Sequence, residues 1–234
     1  MHIIAFAASK GGSGKTTLTA TFSVEAAKKA KVALIDLDPQ QSLAVWHEAR
    51  EQHGGTGNPH LVNLDLHSDM AKITATLRKL ELEKYDLVMI DTPPGLMKRI
   101  IPAVELAELV IVPVRPSPID LNAIDPIVEI AERAGKPLVF VLNQVQPDGK
   151  DGGLAANALK YLASVGKTLD PPLGLYNQHP GSMMTGQVAT ELRGRAKAIT
   201  EAKEEITTLW RAILKELNGS NAKTSTERST GRSV

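Results

Sequence analysis

One short run constrains this chain more than any other: Gly11-Gly12-Ser13-Gly14-Lys15-Thr16-Thr17, preceded by Lys10 and set between the apolar run Ile3–Ala8 and the helix-length segment Thr16–Ala30. Small residues let a backbone wrap closely around phosphate oxygens and aim its N–H groups inward from a helix N-terminus. In such a loop Lys15 reaches the β- and γ-phosphates, and Thr16 sets its hydroxyl on Mg²⁺. The flanking strand and helix separate this from a chance glycine-rich turn. The loop specifies a nucleoside triphosphate and leaves the reaction open.

The rest of the chain repeats the strand–helix alternation. Strands are expected at Ile3–Ala8, Val32–Asp36, Leu61–Leu66, Leu87–Asp91, Leu109–Pro113 and Leu138–Asn143. Helices are expected at Thr16–Ala30, Ser42–Glu51, Asp69–Leu82, Leu96–Ala107, Leu121–Ala134 and Leu154–Val165, with one or two more between Glu191 and Leu217. Runs such as LVMI are continuously apolar and suit strands covered on both faces. The expected fold class is therefore α/β: one P-loop domain over residues 1–217, a mostly parallel twisted sheet with helices on both faces. Residues 218–234 are almost free of apolar side chains and are expected to form a disordered polar tail.

Two strand ends carry acids where a phosphate site needs them. One reads Asp36-Leu37-Asp38-Pro39-Gln40-Gln41 and the other Asp91-Thr92-Pro93-Pro94-Gly95. Ligands collect beyond the carboxyl ends of strands in an open parallel sheet, which is where both clusters project. Asp91 is expected to hold Mg²⁺ through a water, with Thr16 and Asp36 on the metal side, while Asp38 orients the attacking water.

Composition narrows the class. With no Cys, disulfides, thiolate zinc sites, cysteine nucleophiles and Cys-ligated iron–sulfur clusters are excluded. No apolar run reaches about 18 residues, so no membrane-spanning helix is expected. The N-terminus has no basic leader and does not read as a signal peptide, which points to a cytoplasmic protein. The net charge is +1, yet from residue 190 onward nine basic side chains face six acidic ones. Candidate DNA-contacting residues are therefore Arg193, Arg195, Lys197 and Lys203, with Arg211, Lys215, Lys223, Arg228 and Arg232 behind them.

Taken together, KGGSGKTT, VALIDLDPQQSL, LVMIDTPPG and VIVPVRPSPIDL resemble the ParA branch of the ParA/MinD ATPases, whose "deviant" Walker A loop carries an extra early lysine, here Lys10. The resemblance is clear over Met1–Asn143 and looser to Leu217. It implies ATP and Mg²⁺ as cofactors and a nucleotide-sandwich homodimer in which Lys10 reaches the partner's phosphates. Asp36 and Asp38 would form a switch segment, with Asp38 required for hydrolysis, and Asn143 would read the adenine edge. One departure is plain: where such proteins often carry an arginine before Gly186-Gln187-Val188, this chain has His179 nearby and no arginine. Because the loop begins at residue 10, the resemblance is to the short form without a preceding helix-turn-helix domain. The family implies a nucleoid-associated protein that binds DNA non-specifically, with hydrolysis stimulated by a centromere-binding ParB-like partner to segregate a plasmid or chromosome. A MinD-like membrane-associated positioner is the alternative, with the apolar face of Ile206–Leu217 as its lipid-binding element. A metabolic ligase or amidase, or a positioner of another cargo, shares the same engine. Membrane binding is not expected, because acidic residues interrupt that face.

Overall fold

The computed structural model describes residues 1–64, 68–95, 97–146 and 152–230, with residues 220–230 as backbone only. Seven parallel strands form one sheet in the order β3-β2-β4-β1-β5-β6-β7. They are β1 His2–Phe6, β2 Val32–Asp36, β3 His60–Val62, β4 Leu87–Asp91, β5 Leu109–Val114, β6 Leu138–Leu142 and β7 Lys167–Leu169. The helices are α1 Lys15–Ala27, α2 Ser42–Gln52, α3 Met70–Leu82, α4 Met97–Leu106, α5 Pro118–Leu121, α6 Asp125–Arg133, α7 Leu154–Val165, α8 Gln178–Met183 and α9 Lys197–Thr230. The chain leaves β1 towards β2 on one side, returns to β4 beside β1, and crosses to β5 on the other. That reversal makes the carboxyl end of β1 the switch point, where ligands of such sheets bind.

The continuously apolar strands are explained by burial on both faces. Ile4, Phe6, Leu34 and Met89 point into one core, which also takes Phe22 of α1, Trp46 of α2 and Trp210 of α9. Their sequence neighbours Ala5, Ile35, Val88 and Ile90 point into the other, with Ile73, Ile100, Ile127 and Leu162 from α3, α4, α6 and α7. Phe6, Phe22 and Trp210 stack in series, with centroids 6.3 and 6.0 Å apart. Aromatic side chains therefore tie α9 to the strand that feeds the phosphate loop.

Several boundaries moved. The helix expected at Leu121–Ala134 is shorter, because Pro126 lacks an N–H and sits in the first turn of α6, which begins at Asp125. Four elements were not foreseen: α5, β7, α8 and a 3-10 turn at Ala189–Glu191. Of these, β7 is three residues long, and α8 contains Pro180 and Gly181. The last helix begins at Lys197, later than Glu191, and runs to Thr230, past the expected boundary at Leu217. Leu217 is nevertheless the last buried side chain described on it. Part of the expected strand Leu61–Leu66 and the first residue of the expected helix at Leu96 lie outside the described residues.

Candidate nucleotide-binding site

Between β1 and α1 the chain makes a tight loop that needs its glycines. Gly12 has φ 76° and Gly14 has φ 97°, a left-handed backbone that side chains disfavour. Gly14 also lacks room: a Cβ there would lie 2.2 Å from Asn143 Nδ2. Asn143, at the end of β6, donates from Nδ2 to the Ser13 carbonyl at 2.8 Å. Gln144 donates from Nε2 to the Gly12 carbonyl, also at 2.8 Å. Two consecutive loop carbonyls are thus held from outside, which turns the following N–H groups away from them. Gln144 itself has φ 60°, a backbone strain that the surrounding bonds must hold.

The acids gather under this loop. Thr16 donates its hydroxyl to Asp91 Oδ2 at 2.6 Å, and Thr19 approaches Oδ1 at 3.5 Å while donating to the Lys15 carbonyl at 3.0 Å. Asp91 is fully buried, and that burial, with the charges of Asp36 and Asp38 adding to it, pushes its carboxyl up to about 7 against the Thr16 hydrogen bond and Lys15. Burial likewise lowers the Lys15 ammonium from its ordinary range, while Asp91 and Asp38 work to raise it. Lys15 Nζ donates to the Lys10 carbonyl at 3.3 Å. These mutual shifts describe a charge cluster that is costly when desolvated and suited to a polyanion and a cation together.

Asp36 and Asp38 differ in role. Both Asp36 oxygens accept backbone N–H groups, from Asp38 at 2.9 Å and from Ala44 in the first turn of α2 at 3.2 Å. Burial, first among several causes, raises its carboxyl pKa. Asp36 therefore shapes the loop that carries Asp38, alongside any metal-side role. Asp38 accepts from Gln40 N–H through Oδ1 at 2.9 Å, and its charge is felt at both Lys15 and Asp91. Arg99 of α4 donates to the Leu37 carbonyl at 2.9 Å, bracing the same segment from the other side.

The loop offers what a phosphate chain and Mg²⁺ require. Ser13 Oγ and Ser9 Oγ are buried without a hydrogen-bond partner, so polar atoms there await one. Thr16 and Asp91 already stand at hydrogen-bond distance, as a hydroxyl and a carboxylate holding one Mg²⁺, directly or through water, would. The residues fit a magnesium–nucleotide pair.

Of the residues expected from sequence, Lys10, Gly11, Gly12, Ser13, Gly14, Lys15, Thr16, Thr17, Asp36, Asp38, Asp91 and Asn143 come together at the loop and the strand ends around it. Asn143 was expected to read the adenine edge, and its side chain is engaged by the protein itself. Its Oδ1 accepts from Gln144 N–H at 2.9 Å and its Nδ2 is on Ser13, so it braces the loop, and a base would have to use the remaining amide hydrogen and lone pair. Arg193 and Arg195 precede α9, Lys197 opens it and Lys203 lies in its second turn. Arg193 and Arg195 are exposed, without an ion-pair partner among the described residues. Lys197 pairs with Glu201 at 3.5 Å, and Lys203 caps the Leu192 carbonyl at 2.6 Å, which ties it to the fold. Arg211 and Lys215 are exposed on α9; Lys223 and Arg228 are described as backbone only, and Arg232 lies outside the described residues. His179 is buried in α8, and neither ring nitrogen has a partner. The reading missed Gln144, Arg99 and Arg115, whose guanidinium stands over Gly12. Their only sequence signal is position beside a strand end or a switch segment.

Residues 4–217 match the family described as the CobQ/CobB/MinD/ParA nucleotide binding domain. The chain is 33% identical over 150 residues to maintenance of carboxysome distribution protein A of Halothiobacillus neapolitanus, covering 62% of this chain and 67% of that protein. It is 29% identical over 222 residues to the protein of the same name from Gloeobacter kilaueensis, covering 90% and 96%. Among solved structures, the Aquifex aeolicus MinD cell division protein superposes with a TM-score of 0.74 at 19% identity, over 92% of this chain and 98% of that one. The phosphate loop, the acids beneath it and this match agree, and the chain belongs to the CobQ/CobB/MinD/ParA nucleotide-binding family.

Proposed function

We propose that this protein is an ATP-switched positioning ATPase of the ParA type. Mg²⁺ and ATP bind at the loop; two ATP-loaded copies form a sandwich dimer that binds DNA without sequence preference; and hydrolysis, stimulated by a partner protein bound to the cargo, releases it. The observation that carries this reading is Lys10. Its side chain is half-buried at the mouth of the loop and has no hydrogen bond or ion pair among the described residues, while Lys15 is drawn into the acid cluster. One lysine serves its own nucleotide and the other is free for a second copy's phosphates. Asp38 then positions water, Thr16 and Asp91 hold Mg²⁺, and bound Mg²⁺ neutralises charge developing on the phosphates.

Two relatives covered over two thirds or more of their length are named for carboxysome distribution, and the Protein ParA of Rhizobium radiobacter, 30% identical, aligns over 51% of its own length. Those names support a large cargo, of which a carboxysome-like body is one form and a plasmid or chromosome with a ParB-like adaptor the other; nucleoid DNA is the track that this reading proposes. The membrane reading loses the element assigned to it. Ile206, Leu209, Ile213 and Leu217, the face that would meet lipid, are buried in the core. No helix among the described residues is long and apolar enough to cross a membrane.

Sedimentation velocity tests the proposal. The wild type should be monomeric without nucleotide and dimeric with ATP and Mg²⁺, and Lys10→Ala should bind ATP yet fail to hydrolyse it. A wild type that stays monomeric while saturated with ATP contradicts the proposal.

A further inference from the structure

Arg115 follows directly on β5, the strand that pairs with β1, so it emerges at the same sheet end as the phosphate loop. Its guanidinium is not free to wander. Nε and Nη2 both donate to Asp120 Oδ1, at 3.2 and 3.0 Å. Asp120 is buried and fixed in turn: its other oxygen accepts the Ser117 hydroxyl at 2.5 Å, and its N–H points at the Ser117 Oγ that caps α5. The sequence Arg-Pro-Ser-Pro-Ile-Asp thus builds a rigid bracket, with Pro118 opening the helix that carries the acid. The bracket leaves one guanidinium nitrogen over. Nη1 has no partner among the described residues and lies 3.6 Å from where a Cβ on Gly12 would stand. The Arg115 side chain is 37% exposed, against 6% for Asp120, so its outer edge can meet a ligand while its inner edge cannot leave.

We infer that Arg115 is a phosphate-contacting residue of the nucleotide site, a pre-aimed cation on the β5 side of the loop beside Gly12. The inference rests on the nucleotide reading of the loop. A guanidinium bonded to a carboxylate along one edge keeps donors on the other, and a donor held in place loses little rotamer freedom when an anion arrives. Asp120 is a positioning residue: it acts only through Arg115. The bracket gives the Pro116–Asp120 segment a task that its prolines alone do not explain.

The test is equilibrium binding of fluorescent ATP and ADP analogues with Mg²⁺ to the full chain, with thermal melting run alongside. Lys15→Ala serves as the reference for a lost site. Arg115→Ala should weaken ATP binding by about tenfold or more, the usual scale for a charge-assisted hydrogen bond. Arg115→Lys should recover part of that loss, and Asp120→Asn should give a smaller loss of about threefold. Weakening of ATP and ADP alike places the contact on the α- or β-phosphate; weakening of ATP alone places it on the γ-phosphate. If Arg115→Ala melts early, Arg115→Gln keeps the stem and carries the same comparison. Arg115 variants that bind both nucleotides within twofold of wild type, while Lys15→Ala does not bind, overturn the inference and leave the nucleotide site standing. A wild type that binds neither nucleotide overturns both.

Discussion

The phosphate loop and the stretch from Gly186 into α9 are both pinned by side chains from far along the chain, but in opposite styles. At the loop, Asn143 and Gln144 take two backbone carbonyls, and the acids of two further strand ends stand beneath it. At the other region two residues of α2, Arg50 and Trp46, hold the knot. Arg50 donates to Glu191 through both terminal nitrogens at 2.8 Å each and to the Gly186 carbonyl at 2.9 Å, and lies 5.6 Å from the Trp46 ring centroid. Trp46 itself donates to the Gln187 carbonyl at 3.2 Å. The first region concentrates titratable groups with shifted pKa values; the second is a partly buried ion pair whose products are geometry and an exposed Arg193–Arg195 edge. The difference separates a cluster whose buried charges shift one another from an ion pair that fixes backbone geometry. Because α2 begins two residues after the Asp38-Pro39-Gln40 turn and carries Arg50 in its last turn, one helix touches both.

Substitutions should keep the two regions apart. The largest effect belongs to Lys15→Ala, which should lower ATP affinity at least a hundredfold in a binding titration while melting near wild type. Next, Asp38→Ala should retain ATP and lose hydrolysis by about 10²–10³-fold, the scale of a positioned proton acceptor, in a phosphate-release assay. An unchanged rate would remove Asp38 from the mechanism.

A pair of glycines gives the sharpest contrast. Gly14→Ala and Gly186→Ala each force a Cβ onto a left-handed backbone and into a clash, with Asn143 Nδ2 at 2.2 Å and with the Arg50 backbone at 2.1 Å respectively. Each should cost about 2–4 kcal/mol, read by denaturant unfolding. Only Gly14→Ala should also weaken ATP binding in the folded fraction. Equal loss of ATP binding in both would mean that the two regions are one unit.

Smaller still, the Arg193→Ala/Arg195→Ala double variant should weaken binding to duplex DNA uniformly across sequences. It should lower the slope of log affinity against log salt by about 2, with DNA-free ATPase unchanged. The smallest effect is acid sensitivity at His179. Burial lowers its pKa from its ordinary value, so the folded state resists its protonation. Stability from this group is complete above the unfolded pKa of about 6.5 and is lost as pH falls below it. Melting at pH 7 and pH 5 should differ less in His179→Asn than in wild type.

The same contrast explains what the sequence could reveal. The gathering of Lys10 to Thr17, Asp38 and Asp91 at one end of the sheet was legible because a contiguous loop motif and strand-end position both fix where a side chain stands. The double-faced strands were legible because burial on both sides leaves an unbroken apolar run. Arg50, Gln144 and Arg115 were not, since their partners lie 141, 132 and 5 residues away and a lone arginine or glutamine carries no periodic signal. Arg115 shows that even a near partner stays hidden when the decisive fact is where the guanidinium points. The Ile206–Leu217 face was legible as apolar, and only packing decided that it meets Phe22 and the sheet, not lipid.

The most direct measurement is binding to random-sequence duplex DNA without nucleotide, with ADP, and with ATP and Mg²⁺, each at two salt concentrations. The account predicts tight, salt-sensitive binding with ATP and Mg²⁺ only. Binding that is equal in all three states, or absent from all three, would contradict it.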